Sequence, residues 1–291
     1  MRAKRAQPQG RAGRVRRRRR RRRLRNRRAL PRERHLPRNY RARVAYDGTR
    51  YSGFQTQPNA PTVQAELERA LSSICDQPIK LVGAGRTDAG VHATGQVISF
   101  RADTKLDEAT IARGVNALLP ADIAIREVEP ASEDFHARYS ATGRTYEYRI
   151  RTAPQREPLE RLRERWLPAA LDEPAMAEAS ALLVGRLDLS AFAIGPGGTR
   201  TVRRATWSRE GSLLRFEVEA DGFLRGMVRA IVGTLLWVGR GHITVGRVGQ
   251  ILASRDRSQA GPSAPAQGLC LVRVSYAGPA ERSGEQSEDD E

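Results

Sequence analysis

Between residues 41 and 276 the apolar side chains change spacing repeatedly, from every second residue to every third or fourth and back. Alternation predicts strands in five segments, namely RARVAY, QVISF, IAIREVE, YEYRIR and LCLVRVSY. Helical spacing follows Thr62, Asp107 and Asp172, each of which is a residue type that caps helix starts. Strands and helices are thus mixed, with many antiparallel neighbours, which predicts an α+β fold rather than a doubly wound sheet.

The second half of the chain repeats this mixture. The segment TVRRATWSREGSLLRFEVEA predicts a hairpin that turns at Glu210–Gly211. An apolar helix is predicted over residues 223–239, and a short helix over 245–254. Two halves of similar content, residues 41–150 and 151–278, predict two similar subdomains with mixed, largely antiparallel sheets around a shared central cleft.

The charge is concentrated at the two ends of the chain. Residues 1–40 hold 19 Lys and Arg residues and one acid, and we expect them to be a disordered arm. The arm fits either an RNA- or DNA-binding segment or an over-extended translation start with no role. Residues 279–291 predict a disordered acidic tail. The intervening part is only mildly basic, so the total of +18 does not by itself indicate nucleic-acid binding.

Several classes of site are not supported by the sequence. Cys75 and Cys270 form no CxxC pair, and the four histidines show no ligand spacing, so we expect no metal. There is no GxxxxGK[ST], no GxGxxG after a strand and no GxSxG, so we expect no small-molecule cofactor. No apolar run is long enough for a membrane span, and the N-terminal residues contain no apolar core of the kind that a signal peptide has. We therefore expect a cytoplasmic protein that does not bind a membrane.

The segment GAGRTDAGVHATGQVISF, residues 83–100, places glycines around one arginine and one aspartate. Asp88 fits a turn, because Asp-Ala-Gly readily forms one, but it also fits a catalytic carboxylate. Arg86 fits a surface charge or a site residue. The residues near these two do not decide between the alternatives.

Arg229 and Tyr146 are the other two candidates. Arg229 lies in the apolar segment GMVRAIVG, where a buried charge needs a carboxylate partner or a route to a cleft. Arg225 is expected one helical turn earlier on the same side, either as a second site residue or exposed at the helix start. Tyr146 shares a strand face with Tyr148, so it fits a core position or a platform for a nucleobase.

Five blocks together resemble the TruA family of tRNA pseudouridine synthases. In chain order they are YDGTRYSGFQTQ, GAGRTDAGVHATGQV, FHARYSATGRTYEYRI, FLRGMVRAIVGTL and AQGLCLVRVSY, and they extend over about residues 41–277. The resemblance implies the pseudouridine synthase fold with a central RNA-binding cleft, a homodimer, a tRNA partner and no cofactor. It also implies that uridines 38, 39 and 40 of the anticodon stem-loop are isomerised to pseudouridine.

The resemblance implies a role for each candidate residue. Asp88 maps onto the catalytic nucleophile, Arg86 onto the arginine of the same motif, and Arg229 onto a helix arginine of the site. Tyr146 maps onto the tyrosine that contacts the substrate base. The sequence departs from the family pattern at Phe54, where tryptophan is common, at Gly226, where histidine is frequent, and in the arginine-rich arm.

These roles suggest how the site would work. Glycines 83, 85 and 90 would remove side chains that block a flipped uridine, and Arg229 would hold the Asp88 carboxylate in its charged form. Arg86 would fill the gap left by the base or contact a phosphate. The RNA backbone would be gripped by the first block and by two further arginines, Arg203 and Arg204.

Two other functional classes remain open from the residues alone. One is a non-catalytic RNA-binding protein that uses the same cleft, although an acid in an RNA-facing loop repels phosphate. The other is a different cofactor-free enzyme built on an Asp–Arg pair. Incubation with unmodified tRNA, followed by mapping of pseudouridine, distinguishes all three.

Overall fold

The computed structural model describes residues 37–277, which form ten strands and five α-helices. The strands are β1 (Arg38–Tyr46), β2 (Leu81–Gly83), β3 (His92–Ala102), β4 (Ile123–Pro130), β5 (Ala141–Arg151), β6 (Arg165–Trp166), β7 (Gly185–Asp188), β8 (Thr199–Glu210), β9 (Leu213–Ala220) and β10 (Leu269–Tyr276). The helices are α1 (Val63–Cys75), α2 (Glu108–Leu118), α3 (Glu173–Ala181), α4 (Met227–Gly239) and α5 (Val245–Ser254). None of these five helices has the length and apolar character that crossing a bilayer requires.

All ten strands belong to one sheet. Eight follow the order β4-β1-β3-β10-β5-β9-β8-β7, while β2 pairs with β3 and β6 pairs with β5. Neighbouring strands are antiparallel except for β3 with β10 and β5 with β6. The predicted α+β fold with a mixed, largely antiparallel sheet is confirmed. The division into subdomains at residues 41–150 and 151–278 stays a prediction.

The last strand, β10, lies in the middle of the sheet. Leu271 pairs with Ala93 of β3 on one side and with Tyr146 of β5 on the other. Because β3 and β10 run parallel, both strands begin at the same edge of the sheet. The segment before β3, which contains Asp88, is thereby brought beside residues 260–268, which precede β10.

Three helices begin at the residues predicted to cap them. Thr62 Oγ1 accepts a hydrogen bond from the Ala65 N–H at the start of α1. The side chains of the other two caps do the same, Asp107 for α2 and Asp172 for α3. Each cap satisfies one of the backbone donors that a helix start leaves without an intrahelical partner.

The apolar helix α4 starts later than its sequence predicts. Gly226 precedes the first helical residue with a φ of 69°, a left-handed conformation that ends the extended segment and favours glycine. Arg225 therefore lies outside the helix, where it is exposed. The expectation that Arg225 sits one helical turn before Arg229 on the same side is wrong, because no helical turn joins them.

Helix α4 is almost entirely buried, and one of its glycines allows a chain segment to pack directly on it. A Cβ atom at Gly233 would lie 1.7 Å from the Pro262 carbonyl oxygen. The segment over residues 260–264 therefore lies directly against the helix backbone, and the Ala264 N–H donates to the Arg229 carbonyl oxygen at 2.9 Å. The absence of a side chain at Gly233 thus sets the position of a segment that contacts Arg229.

Strand β1 begins at Arg38, three residues before the predicted start of the folded part. Asn39 is buried, and its Nδ2 donates to the carbonyl oxygens of Ser132 and Phe135 at 2.7 and 2.9 Å. The rest of the predicted arm, residues 1–36, and the predicted tail, residues 279–291, lie outside the described residues.

We predict opposite effects for two glycine substitutions in helices. Gly233→Ala should lower the free energy of unfolding by about 1–3 kcal/mol, because the new methyl group overlaps the Pro262 carbonyl. Gly249→Ala in α5 should raise it by about 0.5–1 kcal/mol, because no atom lies within 4 Å of the added Cβ. Urea denaturation of both variants measures this, and equal effects would contradict the packing argument.

We also predict the effect of removing residues 1–36, a cut that keeps β1 intact. If the activity that the resemblance implies holds, the truncated and full-length proteins should modify the same uridines, because all five resembling blocks lie after residue 36. If the arginines contact phosphates, the full-length protein should bind tRNA more tightly at low salt, and the two affinities should converge as salt rises. A change in the modified positions would make the arm part of the recognition surface, whereas equal affinity at low salt would favour an over-extended start.

Candidate active site

Asp88 opens a tight turn just before β3. The Val91 N–H donates to the Asp88 carbonyl oxygen at 3.1 Å, and Gly90 has a φ of 77°. This left-handed conformation is why the turn requires a glycine at position 90. Within residues 37–277 the Asp88 carboxylate makes no hydrogen bond to the backbone and its recorded contact is Arg229. The turn therefore explains the backbone at this position but not the carboxylate.

A buried polar network fixes the residues immediately before Asp88. Thr87 Oγ1 and the Tyr46 hydroxyl lie 2.9 Å apart in a hydrogen bond, and Gln96 Nε2 donates to the Tyr46 hydroxyl at 3.4 Å. The same Gln96 nitrogen donates to the Gly85 carbonyl oxygen at 2.8 Å. Buried polar groups that are satisfied in this way define a single geometry. No local pattern in the sequence indicates this network, although Thr87 and Gln96 lie inside the motif of residues 83–100.

The first motif block, YDGTRYSGFQTQ, packs behind the Asp88 turn. The Phe54 N–H donates to the Thr87 carbonyl oxygen at 3.1 Å, and the Gly90 N–H donates to the Tyr51 carbonyl oxygen at 3.3 Å. A Cβ atom at Gly48 would lie 2.0 Å from the Val91 carbonyl oxygen, so the two segments touch through their backbones. The block thus supports the turn, and its predicted contact with RNA stays a prediction.

A different structural requirement explains each of the three motif glycines, Gly83, Gly85 and Gly90. A Cβ at Gly83 would meet the Phe54 ring at 2.4 Å, so that glycine makes room for a core side chain. Gly90 is needed by the turn. Only Gly85 has open space around its missing side chain, with no atom within 4 Å. An approach of the substrate backbone or base is therefore compatible with Gly85 alone among the three.

His92, the first residue of β3, joins the segments that meet at this edge. Its Nδ1 accepts a hydrogen bond from the Gly48 N–H at 3.1 Å, which assigns the ring proton to Nε2. Nε2 then donates to the Gln267 carbonyl oxygen at 3.2 Å. With Nδ1 as an acceptor, its 3.2 Å approach to Asp47 Oδ1 is not an ion pair. His92 is thus a structural link between the two ends of the sequence.

Arg229 lies beside Asp88, as the sequence analysis required of a partner for this helix arginine. Its NH1 nitrogen is 3.6 Å from Asp88 Oδ2, and the two side chains are 22% and 34% exposed. Arg229 Nε donates to the Ala264 carbonyl oxygen at 2.7 Å. This bond fixes the guanidinium on the segment before β10, so a fixed cation faces a carboxylate that is open to solvent.

Tyr146 lies in β5, between β9 and β10, and is 7% exposed. Its ring meets Phe223 edge-on, with the ring centres 5.0 Å apart. Burial raises the pKa of the Tyr146 hydroxyl well above its ordinary value, and the negative charge of Asp88 acts in the same direction. The phenol therefore stays neutral.

Arg86 differs from the other three residues because it is exposed. It makes no ion pair or hydrogen bond within the part of the chain that the structure describes. A free guanidinium two residues from Asp88 is available to a bound anion. The structure thus brings Asp88 and Arg229 together, places Tyr146 in β5 against Phe223, and leaves Arg86 exposed.

The two arginines expected to grip RNA are paired with acids. Arg203 NH1 lies 3.7 Å from Glu219 Oε1, and Arg203 NH2 donates to the Thr142 carbonyl oxygen at 2.9 Å. Arg204 contacts both Glu217 and Glu219. These carboxylates offset the charge that a phosphate would meet. A role for Arg203 and Arg204 in RNA binding stays a prediction.

The side chains around Asp88 suit acid–base or nucleophilic chemistry carried out by the protein itself. A carboxylate that is open to solvent on one side can attack carbon, stabilise a positive charge or accept a proton. The described residues contain no group of three or more His, Cys, Asp or Glu side chains placed to hold a metal ion. One carboxylate and one fixed cation therefore lie together at the turn, and a neutral phenol lies in β5.

Comparison with known proteins agrees with this arrangement. The sequence profile of a family described as tRNA pseudouridine synthase matches residues 42–140 and 179–277. The tRNA pseudouridine synthase A of Chloroflexus aurantiacus (strain J-10-fl) is 49% identical over 243 residues, which cover 80% of this chain and 87% of that protein. The protein of the same name from Syntrophotalea carbinolica is 46% identical over 239 residues, with 80% and 94% covered. That from Geobacter sulfurreducens is 42% identical over 237 residues, with 80% and 97% covered.

The profile extends over both halves of the described fold and includes the Asp88 turn and α4, while β5 lies between its two matched ranges. Identity above 40% over most of both chains is far beyond a shared fold alone. The chain therefore belongs to the family of tRNA pseudouridine synthases, isomerases that convert uridine to pseudouridine.

Proposed function

We propose that this chain isomerises uridines 38, 39 and 40 of the tRNA anticodon stem-loop and that Asp88 is the nucleophile. The observation that carries the proposal is the Asp88 carboxylate, which is partly exposed and lies 3.6 Å from the fixed Arg229 guanidinium. The reaction is inferred from the family to which the chain belongs. The reacting group is inferred from Asp88, whose turn is held in place by backbone hydrogen bonds from the first motif block. We further propose that the protein acts as a homodimer in the cytoplasm, as the family resemblance implies.

The reaction exchanges one glycosidic bond for another. The bond between N1 of uracil and C1′ of ribose breaks, the base turns, and C5 bonds to C1′, while C5 loses a proton and N1 gains one. The Asp88 carboxylate can serve by attacking carbon, by stabilising a cationic sugar or by accepting a sugar proton. The base must first leave the helical stack, at a cost of a few kcal/mol, to reach the turn.

The Arg229 guanidinium is proposed to orient the Asp88 carboxylate. A fixed cation 3.6 Å from Asp88 Oδ2 attracts the carboxylate and limits the directions in which it can point. The hydrogen bond to the Ala264 carbonyl prevents the guanidinium from swinging away from the turn. Arg229 thus acts on the nucleophile through charge and position together.

Tyr146 and Arg86 are proposed to handle the extruded base and the gap that it leaves. Tyr146 is largely covered, so it presents a small part of its ring to the base beside Asp88. Arg86 is exposed and carries no partner within the described residues, so it can enter the vacated position or bind phosphate.

Asp88→Asn tests the nucleophile. Turnover should fall by at least about three orders of magnitude, because the amide keeps the shape but loses the charge, while tRNA affinity should stay near that of the wild type. Unmodified tRNA is incubated with each protein, and pseudouridine is mapped by carbodiimide treatment and primer extension. Asp172→Asn is the matched control, because asparagine caps a helix as well as aspartate does. Normal turnover by the Asp88 variant would place the nucleophile elsewhere.

Arg229→Met and Arg229→Lys test the cation. Methionine should reduce turnover roughly 100-fold or more by removing the charge beside Asp88. Lysine should retain more activity than methionine, although it cannot reproduce the fork that contacts both Ala264 and Asp88. Single-turnover rates on anticodon stem-loop RNA measure both effects.

Arg240→Met, an exposed change at the other end of α4, is the control for a lost surface charge. Thermal melting of all three variants shows whether the fold is intact. Equal activity of the Met and Lys variants at position 229, with both proteins folded, would point to a packing role instead of an electrostatic one.

A further inference from the structure

Tyr139 stands out because its large aromatic side chain is mostly exposed, on a turn that Arg144 links by hydrogen bonds to the segment before Asp88. The residue is 77% exposed, more than twice the 36% of Trp166, the other aromatic residue with a large exposed area in the described part of the chain. Trp166 already has partners within the protein, since its indole N–H donates to the Ala153 carbonyl oxygen and the Arg156 guanidinium lies over its ring. The exposed area of Tyr139 has no comparable explanation within the fold.

The Tyr139 ring is held in place rather than free to turn. It stacks on the His136 imidazole, with ring centres 4.3 Å apart and planes 27° from parallel. His136 Nδ1 accepts hydrogen bonds from the N–H groups of both Arg138 and Tyr139, each at 3.2 Å. Because the ring is already ordered in the folded protein, binding a ligand to it loses less side-chain conformational entropy.

The turn that carries Tyr139 is anchored to three different strands. The Ala137 N–H donates to Ser99 Oγ in β3 at 3.1 Å, and the Tyr276 hydroxyl of β10 donates to the Ala137 carbonyl oxygen at 2.8 Å. Asn39 of β1 donates to the Phe135 carbonyl oxygen. An exposed side chain on such a rigid base is positioned as firmly as a core residue.

Arg144 links this turn directly to the catalytic segment. One of its nitrogens, NH2, donates both to the Arg138 carbonyl oxygen at 2.7 Å and to the Ala84 carbonyl oxygen at 2.9 Å. Its other nitrogens donate to the carbonyls of Ala84, Ala141 and Asp221, so all five N–H groups of the guanidinium are used. One nitrogen atom of Arg144 therefore joins two backbone positions. One is Arg138, next to Tyr139, and the other is Ala84, two residues before Arg86.

The charges around Tyr139 favour a nucleic acid as its partner. The Arg138 guanidinium lies 5.6 Å from the centre of the Tyr139 ring and forms no ion pair among residues 37–277. Arg86, on the linked segment, is equally unpaired there. An aromatic face with adjacent unpaired cations is the combination that binds a base and its phosphate.

We propose that Tyr139 stacks on a nucleobase of the RNA substrate that flanks the extruded uridine, with Arg138 contacting the adjoining phosphate. The proposal rests on the proposed function, because it takes the substrate and the flipped position from there. Its consequence is that the enzyme grips an unflipped neighbour on a fixed ring while Asp88 acts on the target. Neither residue touches the reacting atoms, so both determine affinity and positioning.

The test measures binding of an anticodon stem-loop RNA by fluorescence anisotropy. Tyr139→Ala and Tyr139→Leu should both weaken binding by roughly 5- to 100-fold, while Tyr139→Phe should bind like the wild type, since only the π-face is required. The fold-loss of affinity in the Ala and Leu variants should be the same at low and high salt, because stacking involves no phosphate charge. Arg138→Gln should instead reduce the dependence of affinity on salt. Leu159→Ala, at an exposed apolar residue of the connector before β6, should bind like the wild type.

A set of RNAs that each lack one base near the target identifies the stacked nucleotide. At one position, loss of the base and Tyr139→Ala should lower the binding free energy by less together than the sum of their separate effects. The reason is that either change removes the same contact. Additive penalties at every position, or unchanged RNA affinity of Tyr139→Ala, would overturn the proposal. A shift in sedimentation of Tyr139→Ala with unchanged RNA binding would also overturn it, in favour of contact with a second copy of the chain.

The pseudouridine assay on the wild-type protein is read separately. If the wild type modifies no uridine in the stem-loop, the proposed function fails, whereas the binding series still decides whether Tyr139 contacts RNA. If the wild type is active and Tyr139→Ala binds normally, only the stacking proposal fails.

Discussion

The parallel pairing of β3 with β10 is the contact on which the site depends. It is short, joining Cys270 to His92 and Leu271 to Ala93, yet it aligns the beginnings of two strands that lie far apart in the sequence. The turn before β3 carries Asp88, and the segment before β10 holds the Arg229 guanidinium through Ala264. Without this alignment the carboxylate and its cation would have no common position. The His92 bridge to Gln267 secures the same edge.

The arginines near the site differ in function because their surroundings differ, not their chemistry. Arg229 is fixed by a carbonyl and faces one carboxylate. Arg86 is exposed and faces solvent, while Arg204 is already neutralised by two glutamates. In the proposed function, the guanidinium that the protein fixes orients the nucleophile, and the unpaired guanidinium is left for the substrate. The proposal thus assigns the chemistry at the turn and the contact with RNA to different arginines.

The sequence predicts much of the local structure because capping and periodicity are local properties. Thr62 caps its helix as expected, and the alternating segments form strands. The resemblance, not the spacing, selected Asp88 and Arg229 as partners. The late start of α4 was missed because it depends on the left-handed backbone at Gly226. The central place of β10 and the bond between Thr87 and Tyr46 were missed because they join distant segments, and no short window contains both partners.

Arg144 has a consequence for how this part of the chain can change over generations. Its five hydrogen bonds all end on main-chain oxygens, at residues 84, 138, 141 and 221. Any side chain compatible with the local backbone leaves those acceptors in place, so these hydrogen bonds place no demand on the side chains at the four positions. Position 144 does carry a demand, because lysine lacks the planar fork that reaches all of the acceptors. The constraint from this network therefore falls on one residue, while its four partners answer only to their other contacts.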